Sequence, residues 1–360
     1  MGSRPFRIAA TVVVAAVLAA CSPATPTPTP TAAPTPTAAP TPTLTATPTP
    51  APTPTPVPKT YADLVVGFLQ TRSESGWIAA NTSSFKERST ELGIKFNFSV
   101  ADDSMANQLV DFHKYNADPT INVIVLDAVE TSGYDDVLKE ARTAGKIVVV
   151  ENGAISADPG LYATRVGSDF VAEGQKAALA MCDLLKTSIK KNVAEISGPS
   201  GSSIAGDRAR GFRDKMGQCG IPDPTAIGLS QPGDWTMPQA KTVMAAFLAK
   251  TRDIEGVLAH NDEEAIGAIA AIKEAGLKPG KDIQVVGFDA TADGFKYLIS
   301  GELGADIECN PLLAPQVFDA ALRAINGDPT LPKFIPAQEG AFFASQGAAA
   351  LQQYLGHSKY

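Results

Sequence analysis

Residues 256–290 read GVLAHNDEEAIGAIAAIKEAGLKPGKDIQVVGFDA, and this stretch decides the fold. Gly256-Val257-Leu258-Ala259 is an apolar run of the length of a buried strand. It ends in His260-Asn261-Asp262, after which Ala265, Ile266, Ile269 and Ile272 recur at helical spacing on one broad stripe. Ala275-Gly276 stops that helix, and Pro279-Gly280 turns the chain. A second apolar run, 283–288, ends in Asp289. Strand, helix and strand in this order predict two parallel strands joined by a crossover. Asn261 and Asp289 then stand at the strands' carboxyl ends, the edge where an open α/β sheet binds small ligands.

Outward from this stretch the same unit recurs. Strands are predicted at 64–69, 94–100, 121–126 and 147–150, with helices from Trp77 to Gly93, around Met105, Leu109 and Phe112, and at 134–144. The third and fourth strands end in Asp127 and in Glu151-Asn152. A short strand at 162–166 leads into a helix at 170–185, with Ser168 or Asp169 as its N-cap. The pattern then repeats with strands at 192–196 and 226–229, helices between them and at 239–249, and 256–290 next. A helix at 295–299, a strand at 304–309, a helix at 315–325 and an extended run at 334–343 close the chain. The fold class is therefore α/β, with two doubly wound, parallel-sheet lobes.

The first ~60 residues are not fold. A short basic start precedes an unbroken apolar run at 8–20, too short to span a bilayer and right for a signal-peptide core. It ends in Leu18-Ala19-Ala20-Cys21, which resembles a bacterial lipobox and implies a signal peptide over residues 1–20 with Cys21 lipidated; the plainer reading is an ordinary signal sequence with a chance Cys. Residues 22–58 are almost only Thr, Pro and Ala and hold half of the 28 prolines, so they form a disordered, semi-rigid tether. The tether carries no charge, so the acidic balance (−8 overall) belongs to the folded part and argues against a nucleic-acid partner. Export permits oxidation of cysteines. Cys182 and Cys219 fall on two helices of one lobe and are the candidate disulfide, which would leave Cys309 a buried free thiol. No cysteine pair has metal-ligand spacing and the three histidines are far apart, so neither a metal nor a cofactor is expected.

Several runs together resemble the periplasmic sugar-binding proteins of the ribose and galactose type, and among them most closely the galactofuranose-binding proteins of ABC importers. The runs are Ser73-Glu74-Ser75-Gly76-Trp77; Gly201-Ser202-Ser203-Ile204-Ala205-Gly206-Asp207-Arg208 with Gly211-Phe212; and Ser230-Gln231-Pro232-Gly233-Asp234-Trp235. To these are added His260-Asn261-Asp262 with Ile266-Gly267-Ala268-Ile269, and the stretch from Ala275 to Ile283. The resemblance implies a three-strand hinge and a ligand trapped between lobes, 59–166 with 310–337 and 167–309 with 338–360. It implies that Trp77 and Trp235 stack on a sugar ring. Arg208, Asn261, Asp289, Glu74, Asp127, Glu151 and Glu308 would bind its hydroxyls. Relatives carry Asp-Arg where this chain has Glu151-Asn152, and Arg where it has Ile78, so the expected cleft is acidic, with Arg72 and Arg165 as alternative cations. The partners implied are a monosaccharide or small polyol and an ABC permease, with the protein itself a monomer.

The physics of a sugar agrees with this set. Its C–H face suits an aromatic ring and its hydroxyl rim suits carboxylates, amides and guanidinium groups. The plainer readings are that the tryptophans fill the core, that Asn261 and Asp289 cap helices, and that Arg208 pairs with a neighbouring acid. Signals for an enzyme are poor. Gly198-Pro199-Ser200-Gly201-Ser202 misses the nucleophile-elbow pattern, and Gly276-Leu277-Lys278-Pro279-Gly280-Lys281 has the wrong spacing for a phosphate loop. A sensory binding protein and an extracellular glycosidase with paired carboxylates are the alternatives.

Overall fold

The computed structural model describes residues 57–72 and 76–355. The leader with Cys21, the tether up to Pro56, Glu74 and His357 lie outside the described residues. The chain divides after Thr55 into two units, and the described residues belong to the second.

Runs rich in Val, Ile and Phe form strands buried on both faces, and the stretches with apolar residues at helical spacing pack over them. The elements begin as β1 (Val65–Gln70), α1 (Gly76–Leu92), β2 (Lys95–Val100), α2 (Met105–Ala117), β3 (Val123–Asp127), α3 (Asp135–Thr143), β4 (Ile147–Glu151) and β5 (Thr164–Gly167). There follow α4 (Phe170–Leu184), β6 (Val193–Ser197), α5 (Ser203–Met216), β7 (Ser230–Pro232), α6 (Met237–Lys250), β8 (Gly256–Ala259), α7 (Asp262–Glu274), β9 (Gln284–Asp289), α8 (Ala292–Ser300) and β10 (Ala305–Glu308). The chain ends with α9 (Ala314–Ile325), β11 (Phe334–Pro336), β12 (Ala341–Phe343) and α10 (Ala348–Leu355).

These strands make two sheets of the same design, ordered β11-β5-β4-β3-β1-β2 and β12-β10-β9-β8-β6-β7. Pairing is parallel except between β10 and β12. Each sheet separates two apolar layers, as the period-2 alternation of a strand requires. In the first lobe Val66, Phe68, Val125 and Val149 meet Phe85 and Phe318 on one face, while Ile124, Leu126 and Val148 meet Tyr134 and Phe112 on the other. The chain passes between the sheets three times: between Gly167 and Phe170, between Glu308 and Ala314, and between Pro336 and Ala341.

Two local expectations are corrected. Residues 226–228 turn rather than extend, with Gly228 at a left-handed φ of 67°, and the strand follows at Ser230–Pro232. The run 334–343 is two strands in different sheets, interrupted by the third crossing. The N-cap of α4 is Asp169, whose side chain accepts from Ala172 N at 3.0 Å. Cys182 and Cys219 form a disulfide, and Cys309 is a buried free thiol. Among the described residues no helix is long and apolar enough to cross a membrane.

Candidate functional site

In both sheets the strand order reverses between the first strand and its neighbours, β1 against β3 and β6 against β8. The crevice at such a reversal opens at the carboxyl ends of the strands. Here the two crevices face one another and enclose a cavity of about 300 Å³. Its first-lobe wall is Thr71 and Arg72 after β1, Trp77 and Ile78 on α1, Asp103 after β2, Asp127 to Glu130 after β3, and Asn152 after β4. The second lobe contributes Phe170, Pro199, Ser200, Ser202, Ile204, Arg208, Asp234, Trp235, Asn261, Asp289 and Cys309. Of the residues named from sequence, Trp77, Asp127, Arg208, Trp235, Asn261 and Asp289 meet at this cavity.

The aromatic surfaces are held differently. Trp77 is 5% exposed, packs with Ile78, Phe170 and Cys309, and its Nε1 donates to the Cys309 carbonyl at 2.7 Å, so it spans the two lobes. Trp235 is half-buried. It and Asp234 both take left-handed backbone (φ 61° and 54°), a costly conformation for such residues. The buried Glu264 carboxyl fixes that turn, accepting from Trp235 N at 2.9 Å and His260 N at 3.0 Å. Burial pushes Glu264 up to about 8. The indole lies directly on Gly198, where any Cβ would come within 2.1 Å of the ring. That close approach is the reason for the glycine in Gly198-Pro199-Ser200-Gly201-Ser202.

Arg208 is 2% exposed on α5, so its charge needs fixed partners. Its Nε donates to Glu173 Oε2 at 2.7 Å, Nη1 to the His260 carbonyl, and Nη2 to Asp289 Oδ1 at 3.4 Å. The guanidinium also lies 4.5 Å from the centre of the Phe288 ring. Asp289 has φ 103° at the end of β9, and burial holds its carboxyl well above the usual range despite Arg208. Asn261 is the N-cap of α7: its side chain accepts from Glu264 N at 2.8 Å while its Nδ2 donates to the Trp235 carbonyl at 3.2 Å. It therefore caps its helix and, at the same time, lines the cavity beside the indole.

On the opposite wall Asp127 is 2% exposed, and its Oδ1 accepts from Asn152 Nδ2 at 3.4 Å. Neither Asp127 Oδ2 nor Asn152 Oδ1 meets a donor among the described residues. Burial raises Asp127 to about 7. Arg72 lies beside them, paired with Asp103 at 2.9 Å.

Two sequence assignments are corrected. Glu151 is fully buried and lies outside the cavity; its Oε1 accepts from Asn81 Nδ2 at 2.7 Å, which ties β4 to the helix carrying Trp77. Asn152, one residue on and left-handed at φ 60°, takes the place at the cavity instead. Glu308 also lies off the cavity, accepting from Gly340 N at 2.7 Å and from the Tyr354 hydroxyl at 3.4 Å, so it braces the hinge. Arg165 stacks 3.9 Å from the centre of the Phe334 ring and donates to the Asn152 carbonyl, away from the cavity. Phe170, Glu173, Glu264 and Asn152 were missed. The signals for Asn152 were its position directly after a strand-end acid and the Arg that relatives carry there; for Phe170 the signal was its place at the first residue after a crossing.

Two like lobes, three crossings and a cavity between the lobes with aromatic and hydrogen-bonding walls define a binding protein that takes a small solute. The model of the periplasmic binding protein domain family matches residues 66–329, and the chain belongs to that family. It is 37% identical over 279 residues to the galactofuranose-binding protein YtfQ of Escherichia coli strain K12, covering 76% of this chain and 85% of that one. Its structure superposes with a TM-score of 0.75 at 34% identity on the binding protein of the arabinose ABC transporter from Shewanella sp. ANA-3, solved with α- and β-L-arabinofuranose. That match covers 82% of this chain and 99% of the other. A Mycobacterium smegmatis protein in complex with β-D-fucofuranose gives the same TM-score at 35% identity, over 82% and 97% of the two chains. The chain is a binding protein of transport type, not an enzyme.

Proposed function

We propose that this chain is the lipid-anchored, extracytoplasmic solute-binding protein of an ABC importer, and that its solute is a monosaccharide in the furanose ring form. The observation that carries the reading is the composition of the cavity. The indoles of Trp77 and Trp235 offer apolar surface, Arg208 and Arg72 offer donors, and Asp127 Oδ2 and Asn152 Oδ1 are acceptors awaiting donors. A sugar ring with its hydroxyl rim matches all three. Charge-assisted bonds of this kind contribute roughly 1.5–3 kcal/mol each. A micromolar site needs about 8 kcal/mol net. The furanose form is supported by the relatives at 34–37% identity, whose names state galactofuranose and arabinofuranose.

The lobes 59–166 with 310–337 and 167–309 with 338–360 move as bodies about the three crossings. Ligand bridging both walls favours the closed arrangement, which a membrane permease then recognises. Cys21 carries the lipid, the 22–58 tether sets the reach, and the protein acts as a monomer. The test is a thermal-shift and calorimetric screen of residues 59–360. Arabinose, galactose and fucose are compared with their methyl pyranosides, which cannot open to the furanose. A rise in melting temperature with a free sugar, none with its pyranoside, and at least tenfold weaker binding by Trp235→Ala are expected. Silence with every sugar would sink the reading. Mass spectrometry of the N-terminal peptide checks the anchor: a diacylglyceryl adduct on Cys21, absent in Cys21→Ser.

A further inference from the structure

The three crossings meet at one side chain. Glu339, on the third crossing, accepts at Oε1 from Ser168 Oγ on the first and from Asn310 N on the second, the latter at 2.9 Å. Next to it is Glu173 of α4, fully buried, whose Oε2 receives Arg208 Nε. The other oxygen, Glu173 Oε1, has no donor among the described residues. Glu173, Cys309 and Glu339 bring their oxygen and sulfur atoms within 4.8 Å of one another. An orphan carboxylate oxygen that is buried and close to a second carboxyl group is costly if both groups are ionised.

We propose that Glu173 and Glu339 share one proton, and that this bridged pair positions Arg208 by fastening it to all three crossings of the hinge. The proton sits on Glu339 and is donated to Glu173 Oε1, which satisfies the one unpaired atom of the cluster. Glu339 Oε1 keeps its two donors, and Glu173 Oε2 keeps the guanidinium. The local charge requires such a proton. Around the cluster stand three carboxyl groups, Glu173, Glu339 and Asp289, against one cation, Arg208, with the Cys309 thiol close to Glu173 and Glu339. Lys176 is spent on the Glu339 main-chain carbonyl at 3.1 Å. Arg208, already locked onto Glu173, makes a proton a better occupant than a metal cation. Burial and the neighbouring Glu173 charge hold Glu339 up at about 8, so the bridge is intact at neutral pH and is lost as pH rises through that value. Arg208 is thereby tied to the hinge, and movement at either end is felt at the other.

The inference rests on the cavity being the sugar site, but its first test needs no sugar. In the Trp235→Phe background Trp77 is the remaining tryptophan, and its indole is bonded to the Cys309 carbonyl on the second crossing. Its fluorescence, titrated from pH 6 to 10, should change with a midpoint near 8. Glu339→Gln, which accepts and donates as the protonated acid does, should abolish that transition. With Trp235 restored, affinity for L-arabinose should fall roughly tenfold between pH 6.5 and 9.5, the loss of one charge-assisted bond. In Glu339→Gln it should stay within about twofold across that range, and in Glu339→Ala it should be weak at both ends. A transition that persists in Glu339→Gln, or a Gln variant as weak as the Ala variant at neutral pH, would overturn the shared proton. A fluorescence transition lost in Glu339→Gln, with no binding of arabinose, galactose or fucose at any pH, would uphold the bridge and sink the sugar reading instead.

Discussion

The buried carboxyl groups around the cavity give the site its chemistry and a pH dependence. Asp127 is the clearest case, because it faces the cavity with one oxygen unpaired. Its folded pKa is raised from 3.8 to about 7, with burial as the main cause. A group raised in this way contributes stability that is fully present below its ordinary pKa and is lost as pH rises through the raised one. Asp127→Asn removes that dependence and keeps the shape. Denaturant unfolding of the ligand-free protein at pH 5 and pH 8.5 should therefore fall less in the variant than in the parent, by on the order of 2–4 kcal/mol. Asp306 and Glu264, raised to about 7 and about 8, move in the same direction in both proteins and cancel in the comparison. Equal pH slopes would show that Asp127 is solvated and ordinary. At this scale the sequence was informative where a polar residue directly follows an apolar run, as at Asp127, Asn261 and Asp289. It was misleading at Glu151. Whether the last strand residue or the next one faces the ligand depends on the backbone turn at Asn152, which side-chain pattern does not encode. Glu173 and Glu264 were illegible for a different reason: an acid on an amphipathic helix looks solvated until the neighbour that buries it is known.

Arg208 owes its placement to how α4 and α5 cross. A Cβ on Gly174 would come within 2.1 Å of the Arg208 carbonyl oxygen, and one on Gly211 within 2.0 Å of the Val171 carbonyl oxygen. The two backbones touch there, and no flexible side chain can yield. Gly211→Ala should force the helices apart, costing about 1–3 kcal/mol or more. Because Arg208 rides on α5, ligand affinity should fall with stability; an alanine variant with unchanged melting temperature and binding would refute the contact. The Cys182–Cys219 disulfide ties the far ends of the same pair and closes a segment with a sequence separation of 37. It lies away from the cavity wall, so its effect should be confined to stability. The double variant Cys182→Ser, Cys219→Ser should lose about 3–4 kcal/mol in denaturant unfolding with affinity unchanged. A drop in affinity would place the crosslink in the ligand's own support. Elements of this kind were legible from periodicity and stop signals, except where a strand is very short. β7, β11 and β12 have three residues each, too few for period-2 alternation to register.

The two lobes meet across the mouth of the cavity as well as at the crossings. Thr131 Oγ1 donates to the Gly201 carbonyl at 2.6 Å, Ala154 N donates to Ser203 Oγ at 3.0 Å, and Gly76 N donates to Glu263 Oε1 at 3.2 Å. Each bond joins a loop or helix start of one lobe to a loop or helix of the other, so under the proposed hinge motion each is made only while the cleft is shut. Nothing in a single sequence announces such contacts. They depend on the angle between lobes, which is set by the crossings and the ligand rather than by local pattern. Their energetic consequence is nonetheless simple. A bond made only in the closed arrangement adds to ligand affinity and leaves the stability of either lobe untouched, since it shifts only the balance between open and closed forms. Thr131→Val and Ser203→Ala together remove two such bonds, each of about 0.5–1.5 kcal/mol. The double variant should bind its sugar roughly tenfold more weakly, chiefly through faster release, while its denaturant midpoint without ligand stays at the parent value. Small-angle scattering gives the independent reading. The parent should contract on adding ligand, and the variant should reach the same compact form only at higher ligand concentration. Parent-like affinity in the variant would mean that closure is held by the ligand and the crossings alone. A parent that does not contract would mean that the cleft admits its solute without opening.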